Sequence, residues 1–208
     1  MKTEQEYIKD ISDIRMMMEK STRFLSLAGM AGIMAGIYAL VGAYVVYSLF
    51  DINAIANFEN SFASQGIPAD VLNLIALAFV VLLMALGTGI FLSYKKAKKN
   101  KEVLWNTTSR RLVLNMAIPL VAGGIFILIL VSKGILGLMM PLTLIFYGLS
   151  LINASRFSFD ELRYMGIMEI VLGLLSTWFL NYSLLCWALG FGMLHIIYGI
   201  YMHWRYER

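Results

Sequence analysis

The apolar positions of this chain fall into long unbroken runs, and they do not alternate with polar positions as they would in half-buried strands. A helix of about 20 apolar residues crosses a hydrocarbon core of about 30 Å, whereas the strands of a membrane barrel alternate over about 10 residues. The runs predict six helices over residues 24–50, 71–94, 112–131, 135–153, 161–180 and 184–204. We therefore predict an all-α polytopic membrane protein, with a six-helix transmembrane domain over residues 23–208.

The six predicted helices pair into three hairpins, which cover residues 23–95, 111–156 and 163–205. Each hairpin begins with an Arg and returns to a basic residue, and the last hairpin has a tight turn at residues 181–183. Hairpins that follow one another in the same orientation are parallel repeats, related by an axis along the membrane normal. The sequence therefore predicts a repeated two-helix unit.

Residues 1–22 precede the first apolar run and predict a separate amphipathic helix. Its apolar stripe holds residues at spacings of 4, 3 and 4, namely Tyr7, Ile11, Ile14 and Met18. Such a helix either lies in the membrane interface or packs against protein. Because five acidic residues balance the basic ones on its other face, we favour packing against the transmembrane bundle, a second copy or a cytoplasmic protein partner.

The basic residues are distributed very unevenly along the chain. If both termini and the links 95–111 and 154–163 lie on one side of the membrane, 16 of the 17 Lys and Arg residues fall on that side. The positive-inside rule then places both termini in the cytoplasm, which predicts a multi-pass protein of the cytoplasmic (inner) membrane.

One of these links holds the strongest basic cluster, formed by Lys95, Lys96, Lys98, Lys99, Lys101, Arg110 and Arg111. We expect this cluster to set the topology and to attract anionic lipid head groups. Nucleic-acid binding is the weaker interpretation, because the run is short and lies directly at the end of a membrane helix.

The first apolar run carries small residues at four-residue spacing, Ala28, Gly32 and Gly36. Small residues in such a row let a second helix approach closely, which is how membrane helices commonly associate. The row predicts tight packing, either within the chain or between two copies, and we favour packing within the chain.

Composition excludes an ordinary soluble protein, since 60% of the residues are hydrophobic and the mean hydropathy is +0.74. The single cysteine, Cys186, excludes an intrachain disulfide. No phosphate-binding loop, dinucleotide fingerprint, nucleophile elbow or zinc-protease motif is present. We therefore expect a non-enzymatic protein without a cofactor or a metal site.

Ionisable side chains inside the predicted spans are the candidates for chemistry, because burying them is costly unless they are paired or hydrated. Glu169 lies six residues after Arg163, and His195 lies ten residues before Arg205, so their depths differ by only about 6 Å in an antiparallel hairpin. Asn115 and Asn153 lie at comparable depths on other helices. The four residues predict either a proton or cation site, or hydrogen bonds that only fix the packing of the bundle.

The last two hairpins resemble the HdeD-like acid-resistance membrane proteins, small six-helix proteins built from three two-helix repeats. The residues that carry this resemblance are Arg163, Gly166, Gly173, Gly199, Ile200 and Arg205, and more loosely Arg111, Gly123, Gly148, Leu149 and Arg156. The charged start at residues 19–27 is similar to that of small uncharacterised integral membrane proteins of Bacteroidetes. Both resemblances imply a fold, and the first implies a stress-related role.

Two functions follow from these predictions. The first is an accessory or regulatory membrane protein that acts through its amino-terminal helix and its basic cytoplasmic face. The alternative is a small transporter or proton-coupled permeability pathway that uses Glu169, His195 and the two Asn residues.

Overall fold

The computed structural model describes residues 29–50, 69–99 and 105–206, and all regular secondary structure within these ranges is helical. The helices are α1 (Gly29–Leu49), α2 (Ala69–Lys99), α3 (Thr107–Ser132), α4 (Met139–Ser155), α5 (Glu161–Trp178), α6 (Ser183–Trp187), a π-helix (Ala188–Leu194) and α7 (His195–Tyr206). A short 3₁₀ turn, Leu180–Tyr182, precedes α6. The predicted all-α class is confirmed for these residues. The segment from α6 to α7 is continuous, and we call it the carboxyl-terminal helix.

Several sequence predictions fall outside the described ranges. They concern the amino-terminal helix at 1–22, most of the outer loop at 51–70, and the individual residues Tyr7, Ile11, Ile14, Met18, Ala28 and Lys101. They stay predictions.

Four segments are long and apolar enough to cross a membrane, namely Gly29–Leu49, Ala69–Lys99, Thr107–Ser132 and Leu180–Tyr206. The apolar helix α4 is shorter, at 17 residues. Helix α5 has 18 residues, and three of them, Glu161, Arg163 and Glu169, are charged. The helices are therefore compatible with a membrane protein, although α4 and α5 are less apolar or shorter than the other four.

Helix α4 begins at Met139 and not at residue 135 as predicted. Gly134 adopts a positive φ of 79°, which ends the turn after α3. Pro141 has no backbone N–H, so it is tolerated in the first turn of a helix but would break the ladder seven residues in. The proline thus sets the start of α4.

Helices α2 and α3 extend further into the basic link than predicted. Helix α2 continues to Lys99. The lysines in its last turn interact favourably with the negative end of the helix dipole. Helix α3 begins five residues early, because Asn106 and Ser109 form a reciprocal capping box with two bonds of 2.8 Å. Most of the basic cluster is therefore helical and lies at one end of α2 and α3.

Helices that are neighbours in the chain are mostly neighbours in space. Helix α2 packs on α1, α3 on α4, and α4 most extensively on α5, while α7 packs on α1. The carboxyl-terminal helix touches α5 mainly through α6 and the π-helix. The predicted unit 163–205 is therefore less self-contained than expected, since α5 and α7 each pack more closely on another helix.

Two helix crossings are close enough to bring backbones into contact. At the α1–α7 crossing, a Cβ on Gly32 would stand 3.2 Å from Gly199 Cα, and Gly36 lies against Gly192 and Ile196 of the same chain. At the α4–α5 crossing, a Cβ on Gly166 would stand 2.6 Å from the Gly148 carbonyl oxygen. Both crossings need glycine, and together they hold α5 and the carboxyl-terminal helix in place around the candidate site.

Candidate functional site

Glu169 lies on the buried face of α5, in line with Met165, Gly173 and Ser176. Its side chain is fully buried, and neither carboxyl oxygen has a hydrogen-bond partner among the described residues. An ionised carboxylate in such surroundings requires water or a cation, whereas a protonated one requires only an acceptor. Glu169 is therefore the side chain of this bundle that most needs an additional partner.

His195 supplies the group nearest to that carboxyl. The His195 Nδ1 atom lies 3.6 Å from Glu169 Oε1, across the gap between α7 and α5. The same Nδ1 lies 3.1 Å from the Gly190 carbonyl oxygen, and Nε2 lies 2.8 Å from the Tyr147 hydroxyl. Because a carbonyl only accepts, Nδ1 carries a hydrogen, and in the neutral ring Nε2 accepts the hydroxyl hydrogen of Tyr147. The tautomer of His195 is thus set by its two neighbours.

The π-helix brings Gly190 against the carboxyl of Glu169. A Cβ at residue 190 would collide with Glu169 Oε2 and with the side chain of Leu144, so only glycine permits this approach. The wider π-helical turns also place the Gly190 carbonyl where the side chain of His195, five residues later, reaches it. Segments of π-helix are rare and often occur at functional sites.

Aromatic rings enclose the pair. Tyr147 and Phe191 stack on the His195 ring with centroid distances of 5.4 and 5.8 Å, and Trp187 lies 5.0 Å from Phe191. Tyr147 also packs, together with Tyr198, on a buried cluster of Leu151, Leu162 and Met165. This apolar shell keeps the local dielectric low, which strengthens electrostatic interactions inside it.

The two asparagines predicted for the cluster form no hydrogen bond to Glu169 or His195 among the described residues. Asn115 is half-buried on α3, where its Nδ2 donates to the Arg111 carbonyl of the same helix at 2.8 Å. Asn153 is half-buried on α4, and it makes no hydrogen bond to Glu169 or His195 in the described part of the chain. The prediction placed all four residues at comparable depths. Comparable depth does not determine whether the side chains of the two asparagines face Glu169 and His195.

The sequence prediction also missed Tyr147 and Gly190. Tyr147 lies nine residues before Arg156, about 14 Å along the helix, which is nearly the depth of His195. The depth argument therefore would have found its hydroxyl if tyrosines had been counted among the polar candidates. Gly190 carries no such signal, because its importance depends on the π-helix.

Comparison with protein-family models, curated proteins and solved structures found no match. The resemblance to the HdeD-like proteins stays a prediction. Among the described residues, no group of three His, Cys, Asp or Glu side chains is placed to hold a metal ion. The chemistry considered below uses Glu169, His195 and Tyr147.

Proposed function

We propose that the chain is an integral membrane protein whose six helical segments cross the bilayer as three hairpins, with both termini cytoplasmic. The four long apolar segments support this topology. Helices α4 and α5, with 17 and 18 residues, are about 26 and 27 Å long, close to the thickness of a hydrocarbon core of about 30 Å. The uneven distribution of Lys and Arg supports the orientation.

We further propose that the protein is a proton-coupled permeability pathway, in which Glu169 takes up and releases the proton. The observation that carries the proposal is the fully buried carboxyl of Glu169, which has no hydrogen-bond partner within the described ranges and lies 3.6 Å from His195 Nδ1. Unpaired carboxyl groups inside membrane helices are rare and commonly belong to ion or proton pathways. A purely structural role would be better served by a satisfied hydrogen bond.

His195 and Tyr147 can accommodate both charge states of Glu169. When His195 is protonated, its Nδ1–H faces an ionised Glu169, and the ring Nε2–H donates to Tyr147. When the proton lies on Glu169, the neutral His195 accepts the Tyr147 hydrogen at Nε2. The site therefore has two protonation arrangements that use the same three side chains.

The test is proton flux into liposomes that contain the purified full-length chain, a trapped pH-sensitive dye and an imposed potassium diffusion potential. We expect Glu169→Gln to lower the initial flux by at least about tenfold, since it removes the titrating group while keeping the shape of the side chain. Asp70→Asn is the matched control, because it removes one carboxylate from an exposed position in the first turn of α2. Its flux should equal that of the wild type.

Two results contradict the proposal. One is a wild-type flux no higher than that of empty liposomes. The other is an unchanged flux in folded Glu169→Gln, which would leave the buried carboxyl with a packing role only. The accessory role, predicted from the amino-terminal helix and the basic cytoplasmic face, stays a separate prediction, and residues 1–22 lie outside the described residues.

A further inference from the structure

An apolar cavity of about 340 Å³ lies between α2 and α3. It is lined by residues of α1, α2, α3, α4 and α6, among them Leu74, Val81, Gly124, Val131, Thr143 and Trp187. We call the gap between residues 74–81 of α2 and residues 124–131 of α3 the α2–α3 seam. Apart from Thr143 and the indole N–H of Trp187, its lining side chains are apolar, so the cavity suits a hydrocarbon ligand.

Among the described residues, apolar side chains close the seam at one end. Val71, Val131 and Leu136 form a buried cluster where α2 begins and α3 ends. Further along, a Cβ added at Gly124 or at Gly87 would meet no atom within 4 Å. A ligand therefore enters the cavity from the lipid side or from the opposite, basic end of the two helices.

That opposite end carries positive charge on both helices. Lys95, Lys98 and Lys99 end α2, and Arg110 and Arg111 lie in the first turns of α3, all with exposed side chains. Val81 and Lys95 are 14 residues apart, as are Arg110 and Gly124, which corresponds to about 21 Å along each helix. Half of a bilayer of about 40–45 Å, head groups included, has the same length.

We propose that the cavity binds the end of one acyl chain of an anionic phospholipid, whose phosphate group contacts the basic ends of α2 and α3. The charge and the spacing both fit a lipid of the leaflet that touches these basic ends. A helix from a second copy fits less well, because a helix with its side chains is about 10 Å wide, and the cavity is at the small end of the range of about 300–1,000 Å³ for small-molecule pockets. The proposal requires membrane insertion but is independent of proton transfer at Glu169.

Trp187 lines the cavity and offers a direct probe. The other three tryptophans, Trp105, Trp178 and Trp204, are exposed and can be replaced by Phe, which leaves Trp187 as the single tryptophan, excited selectively over the tyrosines. The full chain is reconstituted in phosphatidylcholine vesicles doped with phosphatidylglycerol brominated near the chain end, or with phosphatidylcholine that carries the same chain. We expect the anionic lipid to reach half-maximal quenching of Trp187 at a content about fivefold lower than that of the brominated phosphatidylcholine.

Two matched variants separate the cavity from the surface. Gly124→Leu places a side chain in the cavity and should abolish the preferential quenching. Gly87→Leu makes the same change at a glycine with equally open surroundings that does not line the cavity, and should leave it intact. The double variant Lys98→Gln and Arg110→Gln should remove the preference for the anionic lipid while the remaining quenching by both lipids persists.

Three results would overturn the proposal. The first is equal quenching by the two brominated lipids. The second is quenching that Gly124→Leu does not reduce. The third is protection of Trp187 from both lipids together with the mass of a dimer, which would assign the seam to a second copy of the chain.

Discussion

The α4–α5 crossing and the α2–α3 seam are both built from apolar helices, yet only the crossing is tightly packed. At the crossing, Gly166 and Gly148 bring one backbone against the other, whereas Gly87 and Gly124 beside the seam face open space. Because lipid tails are as apolar as the helices, apolar surface alone does not hold membrane helices together. The difference teaches that close backbone contact decides which helices of this chain stay together.

The two regions also divide the interior by chemistry. The crossings enclose the polar site of Glu169, His195 and Tyr147, whereas the seam leads into an almost purely apolar cavity. A buried carboxyl requires a shell that excludes lipid, and a chain-binding cavity requires an opening toward lipid. The predictions below test this division, from the largest expected effect to the smallest.

The largest effect is expected from Gly166→Leu. The new side chain would collide with the Gly148 carbonyl and with Ile152 across the crossing, and it would force α4 and α5 apart. We expect a loss of about 3 kcal/mol in the free energy of unfolding, measured in detergent by unfolding with SDS. Gly87→Leu is the control, and its change should stay within about 0.5 kcal/mol. Similar losses in both variants would remove the distinction between the two regions.

A smaller effect is expected from Tyr147→Phe. The substitution leaves Nε2 of the buried His195 without its 2.8 Å partner, which costs about 1–3 kcal/mol. Tyr198→Phe is the matched control, since the Tyr198 hydroxyl is buried and has no hydrogen-bond partner among the described residues. Its removal should be neutral or stabilising in the same unfolding assay. If Tyr198→Phe proved as destabilising as Tyr147→Phe, the loss of stability in Tyr147→Phe could not be assigned to the hydrogen bond with His195.

The smallest effect is expected from Asn115→Ala. This side chain donates a hydrogen bond to the Arg111 carbonyl of its own helix. We expect a change in unfolding free energy of less than about 0.5 kcal/mol and a proton flux equal to that of the wild type. A flux defect as large as that of Glu169→Gln would restore Asn115 to the site.

The sequence predicts some of this arrangement because the position of a residue along a helix axis follows from its residue number. Counting residues from Arg163 and Arg205 places Glu169 and His195 at similar depths, and these side chains lie 3.6 Å apart. The same count cannot tell which face of a helix a residue occupies, and no hydrogen bond joins Asn115 or Asn153 to Glu169 or His195 among the described residues. The direction in which a side chain faces depends on how the helices pack, and the depth of a residue along its helix does not determine that packing.

Helix boundaries show the same division between local and non-local causes. Pro141 and the Asn106 capping box act locally, so the starts of α4 and α3 are explained by residues within one turn. At the π-helix, by contrast, Gly190 lies against the carboxyl of Glu169 on another helix. Elements that depend on a distant partner are the ones that pattern and propensity do not predict.

The central claim is that Glu169 takes up and releases a proton inside the bundle. Infrared difference spectra of the reconstituted protein, recorded while the pH is stepped, follow the C=O stretch of a protonated carboxyl directly. We expect a pH-dependent carboxyl band in the wild type and in Asp70→Asn that is absent from Glu169→Gln. Two results would contradict the claim. One is the same pH-dependent band in folded Glu169→Gln, and the other is a wild-type spectrum without a pH-dependent carboxyl band that this substitution removes.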